Sequence, residues 1–180
     1  WLYLPDPLPC GRECYFADRY IRSRGWMKRL ADSSNCFVCG RDNPCSLKIA
    51  FYLEESGEVV SHFQLSDHYE GYPGIMHGGV IAAILDEICG RAVTSHEDEF
   101  MVTSRLELRY RKPVPINQDL VAKARRISRK GRVGIAHGEI LDSQGTLLAE
   151  AEGVYVQIPE EKVKEMDPQR SGWRVEPDEN

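Results

Sequence analysis

The feature that most constrains this chain is a segment over residues 79–94 that is apolar at nearly every position. A helix that is apolar on all sides must be buried, because no face of it is suited to water. Asp86 and Glu87 interrupt the run, so it falls short of the roughly 20 apolar residues that cross a bilayer. The segment therefore predicts a helix at the centre of a globular domain.

Apolar and polar residues alternate, as in half-buried strands, on both sides of this segment. The predicted strands cover residues 46–53, 58–65, 101–111, 120–128, 132–141 and 146–158, with turns between most of them. The pattern predicts an α+β fold in which an antiparallel sheet of about six strands wraps around one long central helix.

The two ends of the chain depart from this pattern. Residues 1–35 are predicted to form an N-terminal arm with a helix over 13–31, and residues 159–180 a charged tail with one helical turn near 160–166. The domain itself is expected to span residues 36–158. A net charge of -5 argues against nucleic acid as a partner. With neither a secretory signal nor a membrane span in the sequence, we expect a cytoplasmic protein without a membrane partner.

Two consecutive glycines open the predicted helix. Without side chains, Gly78 and Gly79 let a substrate oxygen approach the first backbone N–H groups, which have no partner inside the helix. Such donors, helped by the helix dipole, polarise a carbonyl group in acyl-transfer enzymes. The alternative is that the glycines only cap the helix or let it pack closely.

Asp86 lies two turns inside the helix, too far from its start to cap it. A buried carboxylate is costly unless it is compensated, and such groups are frequent in functional sites. A structural hydrogen-bonding role is the alternative. Glu87 points about 100° away around the helix, and it either faces a cleft or pairs with an arginine.

Six cysteines stand at positions 10, 14, 36, 39, 45 and 89. Cys10, Cys14, Cys36 and Cys39 could give four thiolates to a structural zinc ion, with Gly40 allowing a tight turn. Reduced thiols that pack independently are the favoured alternative. Cys89 belongs to the apolar segment and is predicted to be a core residue.

Three motifs carry a family resemblance: Pro-Gly-x-x-His-Gly-Gly followed by Leu-Asp-Glu within 71–87, Cys-x-x-Cys-Gly at 36–40, and Tyr-Arg-Lys-Pro-Val-Pro at 110–115. Together they resemble the hotdog-fold acyl-CoA thioesterases, especially the PaaI-type branch of the thioesterase superfamily. The resemblance covers residues 35–158. It implies a homodimer or a dimer of dimers that hydrolyses an acyl-CoA to a free acid and CoA without a bound cofactor or catalytic metal.

The resemblance also implies roles for single residues. The backbone N–H of Gly78 would polarise the thioester carbonyl, and Asp86 would act as general base or as nucleophile. Thr103 would hold the attacking water from the partner subunit, although strand alternation places it with Arg105 on a side that faces an interface or solvent. His77 would position the loop by hydrogen bonds.

Substrate contacts are expected from Gly79 and Glu87 on the helix and from Tyr72 and Met76 in the preceding loop. The phosphates of CoA need cations, which the predicted hairpin supplies as Arg125, Arg129, Lys130 and Arg132, unless these residues form only a solvated loop. Two other functions stay open: a non-catalytic acyl-CoA binder, and a hotdog-fold hydratase or dehydratase.

Overall fold

The computed structural model describes residues 27–94, 99–165, 172, 174 and 175. The strands are β1 Met27–Arg29, β2 Tyr52–Glu54, β3 Val59–Phe63, β4 Glu70–Tyr72, β5 Ile75–Met76, β6 Met101–Tyr110, β7 Leu120–Lys130, β8 Val133–Asp142 and β9 Leu147–Gln157. The helices are α1 Gly78–Thr94 and α2 Glu160–Glu165, and a 3-10 turn covers Asp67–Tyr69.

Seven of the strands form one antiparallel sheet in the order β1-β2-β3-β7-β8-β9-β6. The strands β4 and β5 pair separately, just before α1. Gly131 and Gly145 make the turns between the long strands β7, β8 and β9, with φ of 56° and 79° that glycine tolerates best. The predicted α+β architecture is thus confirmed, with seven strands in the main sheet rather than six.

The long helix packs across one face of this sheet. Ile84, Leu85 and Ile88 of α1 are fully buried, and the helix contacts β3 and the four long strands. On the opposite side of α1, Ala82 and Asp86 remain partly exposed in the single chain. The sheet therefore encloses only one side of a helix whose sequence is apolar nearly all round. No helix among the described residues is long and apolar enough to span a membrane.

The prediction of a helix over 13–31 is wrong where the structure describes that segment. Met27–Arg29 is a strand that pairs with β2, because the free edge of β2 offers backbone groups that β1 satisfies. The described part of the predicted arm therefore joins the main sheet. The remainder of the arm lies outside the described residues.

The predicted strand over 46–53 is shorter in the structure, where only its last two residues belong to β2. Lys48 has a positive φ of 58°, which interrupts a strand. Its ammonium group donates to the carbonyls of Gly40, Arg41 and Asn43. This segment thus holds the preceding Cys36–Gly40 loop in place instead of pairing with the sheet.

Candidate active site

His77 caps the start of α1. Its Nδ1 accepts a hydrogen bond from the backbone N–H of Gly79 at 2.9 Å, and its carbonyl accepts from Val80 and Ile81 at 2.9 and 3.2 Å. An accepting Nδ1 places the proton of a neutral imidazole on Nε2. This arrangement fits the positioning role predicted for His77, and it occupies the N–H of Gly79.

The N–H of Gly78 has no acceptor among the described residues, whereas the carbonyl of Gly78 accepts from the Tyr110 hydroxyl at 3.0 Å. Gly78 borders a cavity of about 350 Å³ whose wall includes Met76 and Ile81. A bare N–H at a helix N-terminus beside an apolar cavity is suited to binding a substrate oxygen. Tyr72, in contrast, is 76% exposed and does not line this cavity.

Asp86 is held by two hydroxyl groups. Thr103 Oγ1 donates to Asp86 Oδ1 at 2.8 Å, and the Tyr155 hydroxyl lies 2.8 Å from the Asp86 carbonyl and 3.2 Å from Oδ1. Burial raises the pKa of Tyr155 far above its usual range, so this hydroxyl stays a donor. The other carboxylate oxygen, Oδ2, has no partner among the described residues. Asp86 lines a cavity of about 480 Å³ and can take a proton from a molecule bound there.

Thr103 donates to Asp86 of its own chain. Two expectations are thereby corrected: that Thr103 acts from the partner subunit, and that it lies on the same side of the strand as Arg105. A β-bulge falls between Thr103 and Arg105, since Thr103 pairs with Tyr155 and Arg105 with Val154. One extra residue reverses the alternation along the strand. Thr103 therefore points toward α1 while Arg105 points away, and the Thr103–Asp86 contact does not need a partner subunit.

Gly78 and Asp86, however, are not brought together in one chain. They are separated by eight residues of helix, which corresponds to about 12 Å along the axis. Gly78 borders the smaller cavity and Asp86 the larger one. Gly78 thus lies at the N-terminus of α1 and Asp86 near its middle.

Glu87 pairs with an arginine, as one of the two interpretations of the sequence held. Its Oε1 accepts from Arg91 Nε at 2.9 Å. Although burial disfavours the charge of Arg91, the nearby Glu87, Cys39 and Asp32 raise the pKa of this guanidinium above its usual value.

The thiols of Cys36 and Cys39 lie 3.6 and 3.7 Å from the carboxylate oxygens of Glu87. The predicted companions Cys10 and Cys14 fall outside the described residues. Cys89 is fully buried in the core, as predicted, and burial raises the pKa of its thiol to about 12.

The four predicted phosphate-binding cations do not converge. Arg129 donates to Glu99 and to Met101 Sδ, both of which border the cavity of Asp86. Arg132 donates to the carbonyl of Gln157 at 2.9 Å. Lys130 is exposed, and Arg125, next to the inward-facing Ala124, lies on the sheet face turned away from α1. Of the four, Arg129 is the one whose contacts reach the cavity.

Sequence reasoning missed the contact of Tyr155 with Asp86, and it did not name Arg91 as the arginine that pairs with Glu87. Tyr155 lies 69 residues from Asp86 in the sequence, so no local spacing connects them. Arg91 follows Glu87 by four residues on the same helix, and this spacing could have identified it as the partner.

The sequence profile of the thioesterase superfamily matches residues 73–149. The chain is 31% identical over 113 residues to the acyl-coenzyme A thioesterase THEM4 of Mus musculus, a match over 62% of this chain and 48% of that protein. The chain thus spans about half the length of this curated relative. A yeast relative from Saccharomyces cerevisiae, 24% identical over 135 residues (71% of this chain, 55% of the relative), is described as an uncharacterised mitochondrial membrane protein. A cytoplasmic location therefore stays a prediction.

Two solved structures share the fold. A thioesterase superfamily protein superposes with a TM-score of 0.64 at 28% identity, over 68% of this chain and 60% of that one. The E. coli PaaI protein from the phenylacetic acid degradation operon superposes with a TM-score of 0.54 at 20% identity, over 57% of this chain and 74% of that one. The profile, the relatives and the sheet that wraps a central helix agree. The chain has the hotdog fold, and over residues 73–149 it is similar to the thioesterase superfamily.

Proposed function

We propose that this protein hydrolyses an acyl-CoA thioester to a free acid and coenzyme A. The observation that carries the proposal is the carboxylate of Asp86, fixed through one oxygen by Thr103 and Tyr155 while it lines a cavity of about 480 Å³. A carboxylate fixed in this way can act on a water molecule at a defined place in the cavity.

In the proposed reaction, Asp86 removes a proton from water as the water oxygen attacks the carbonyl carbon of the thioester. The negative charge that develops on the carbonyl oxygen is stabilised by the N–H of Gly78, an interaction stronger in the transition state than in the ground state. The carbon–sulfur bond then breaks, Asp86 returns the proton that it took from water to the departing sulfur, and CoA leaves as the thiol. Direct attack by Asp86 on the carbonyl, followed by hydrolysis of the anhydride, uses the same residues.

The positions of Gly78 and Asp86 favour a site shared between two copies of the chain. About 12 Å of helix separates the two groups within one copy, too far for both to act on one carbonyl. In the proposed homodimer, Gly78 of one subunit faces Asp86 of the other. The same arrangement covers the open side of α1.

The mouse relative supports CoA as the leaving group, because that protein is named an acyl-coenzyme A thioesterase. The apolar wall of the cavity beside Gly78, which includes Met76, Ile81 and Val114, suits the acyl chain. Arg129, at the rim of the cavity of Asp86, is the proposed contact for a CoA phosphate.

The test measures thiol release from short-chain, long-chain and aromatic acyl-CoAs, with the signal of the protein's own cysteines subtracted. Asp86→Asn keeps the size of the side chain and the bond from Thr103 but removes the base, so we expect kcat to fall at least ~100-fold. Glu107→Gln is the matched control, because Glu107 is exposed on the other face of β6 and should keep wild-type turnover.

Three results would contradict parts of the proposal. Near-wild-type turnover in Asp86→Asn would remove Asp86 as the base. If the wild-type protein binds acyl-CoA but shows no turnover, the proposed function would change from an enzyme to a non-catalytic acyl-CoA binder. Addition or loss of water on 2-enoyl-CoA or 3-hydroxyacyl-CoA, with no thiol released, would indicate a hydratase or dehydratase.

A further inference from the structure

Three side chains of types that commonly bind metals lie together beside the proposed base, and one of them, Glu87, directly follows Asp86 in the sequence. The thiols of Cys36 and Cys39 and the carboxylate of Glu87 have their ligand atoms within 4.8 Å of one another. Cys39 is fully buried, while Cys36 and Glu87 are partly buried and border the same cavity as Asp86. The loop and the helix that supply these groups are 48 residues or more apart in sequence, so the fold brings the three groups together.

The distances between these atoms match those around a tetrahedral zinc ion. Zinc binds thiolate sulfur at about 2.3 Å and carboxylate oxygen at about 2.0 Å, which places the two ligand atoms about 3.5 Å apart at a tetrahedral angle. The observed separations are 3.6 Å from Cys36 Sγ to Glu87 Oε2 and 3.7 Å from Cys39 Sγ to Glu87 Oε1. These separations, with all three ligand atoms within 4.8 Å of one another, are compatible with a single ion bound by the three groups.

The loop is shaped around the sulfur of Cys36. The backbone N–H groups of Val38 and Cys39 point to Cys36 Sγ at 3.2 and 3.5 Å, donors that stabilise a thiolate ligand. A Cβ atom at Gly40 would lie 2.4 Å from the carbonyl oxygen of Cys36, so only glycine fits there. The tight turn thus orients two cysteine side chains toward Glu87.

Arg91 balances the charge of such a site. Two thiolates and one carboxylate exceed the charge of a divalent ion by one unit, and the buried guanidinium donates to Cys39 Sγ at 3.0 Å and to Glu87 Oε1 at 2.9 Å. A cation that hydrogen-bonds two ligands from outside orients them and leaves the inner position to the metal. Zinc, two thiolates, Glu87 and Arg91 sum to zero net charge.

We propose that Cys36, Cys39 and Glu87 bind a zinc ion that fastens the Cys36–Gly40 loop to α1. The fourth position of the tetrahedron opens on the cavity and is filled by water. Because Glu87 directly follows Asp86, the ion would also fix the part of the helix that carries the proposed base. The metal site does not depend on the hydrolysis reaction and is tested without it.

The experiment uses the full chain, purified without chelator and reconstituted with Zn²⁺ under reducing conditions. We expect about one zinc per chain by elemental analysis, as for a site with this ligand set. Cys45→Ser, which removes an exposed thiol outside the cluster, should bind like the wild type. Cys36→Ser and Glu87→Gln should each weaken binding at least ~10-fold in competition with a chromophoric chelator, because each removes one of three protein ligands.

A second measurement uses only the wild-type protein, so it does not require that any variant folds. Titration of the reduced wild-type protein with Co²⁺ should give thiolate-to-cobalt charge-transfer absorption and the visible bands of a tetrahedral ion. The proposal is overturned if the reduced protein binds neither metal, or if Glu87→Gln binds zinc as tightly as the wild type. Loss of the ion in a Cys10→Ser/Cys14→Ser variant would overturn the three-residue site in favour of four cysteine ligands.

Discussion

At the scale of single residues, the proposed chemistry depends on which atom of Asp86 is left for the substrate. Thr103 and Tyr155 both donate to Oδ1, which leaves Oδ2 without a hydrogen-bond partner among the described residues, and Asp86 lines the cavity. A carboxylate fixed through one oxygen cannot rotate freely, so its second oxygen keeps one direction. The two hydroxyl groups should therefore affect turnover more than substrate binding.

Thr103 provides a direct test of this orientation. Thr103→Val keeps the shape of the side chain but removes the donor to Asp86, so we expect kcat to fall about tenfold, equivalent to about 1.4 kcal/mol. Thr103→Ser restores the hydroxyl and should restore most of kcat, while KM changes little in either variant. Steady-state kinetics on one acyl-CoA are sufficient. If the Thr103→Val variant has the same kcat as the wild-type protein, Thr103 does not orient Asp86 for the reaction.

The N–H of Gly78 can be deleted without loss of the helix. Gly78 is the first residue of α1, a position where proline fits because its missing N–H has no partner inside the helix. Gly78→Pro should lower kcat 10²–10³-fold, as does loss of an oxyanion donor, with helical content retained by circular dichroism. Gly78→Ala keeps the N–H, and its Cβ would be 3.5 Å from the Tyr110 hydroxyl, an ordinary contact. We expect a much smaller loss there; equal losses in both variants would indicate a steric effect instead.

At the scale of elements, the helix and the long strands were predictable because their apolar patterns extend over ten residues or more. Their local irregularities were not. The bulge between Thr103 and Arg105 reverses the side on which Thr103 lies, and no residue type in that strand signals it. Likewise Met27–Arg29 becomes a strand because β2 has a free edge beside it, a reason that exists only in the folded sheet.

Close packing of α1 on β8 depends on glycines in the strand. A Cβ atom at Gly138 would lie 2.6 Å from Cys89 Sγ, whereas its other neighbours, Ala124 and Leu85, would be at 3.5 Å. Gly138→Ala should therefore lower the free energy of unfolding by about 1–3 kcal/mol through overpacking. Since one sulfur atom causes the clash, Cys89→Ala should relieve it. In a double-mutant cycle followed by urea denaturation, the double variant should be more stable than the sum of the single effects predicts. Additive effects would place the strain elsewhere.

At the scale of the whole molecule, the single chain presents two incomplete surfaces. Among the described residues, nothing covers one side of α1, and β6 forms an edge of the sheet with Val102 and Tyr110 half-exposed. A ten-residue edge strand is a ready template for pairing with another chain. A second copy that pairs through β6 would cover this edge, and we expect light scattering to give the mass of a dimer or of a dimer of dimers.

Mixed dimers test whether the site is shared between subunits. If Gly78 of one subunit acts with Asp86 of the other, a dimer of one Gly78→Pro chain and one Asp86→Asn chain has one fully intact site, although each variant alone is inactive. After denaturation and joint refolding of equal amounts, half of the dimers are mixed and each carries one working site, so about a quarter of wild-type turnover should return. A site within one chain would leave the mixture as inactive as its components, because every chain would then carry a defect. Refolding each variant separately, followed by mixing, is the control for exchange. Recovery only after joint refolding would place Gly78 of one subunit and Asp86 of the other in one active site.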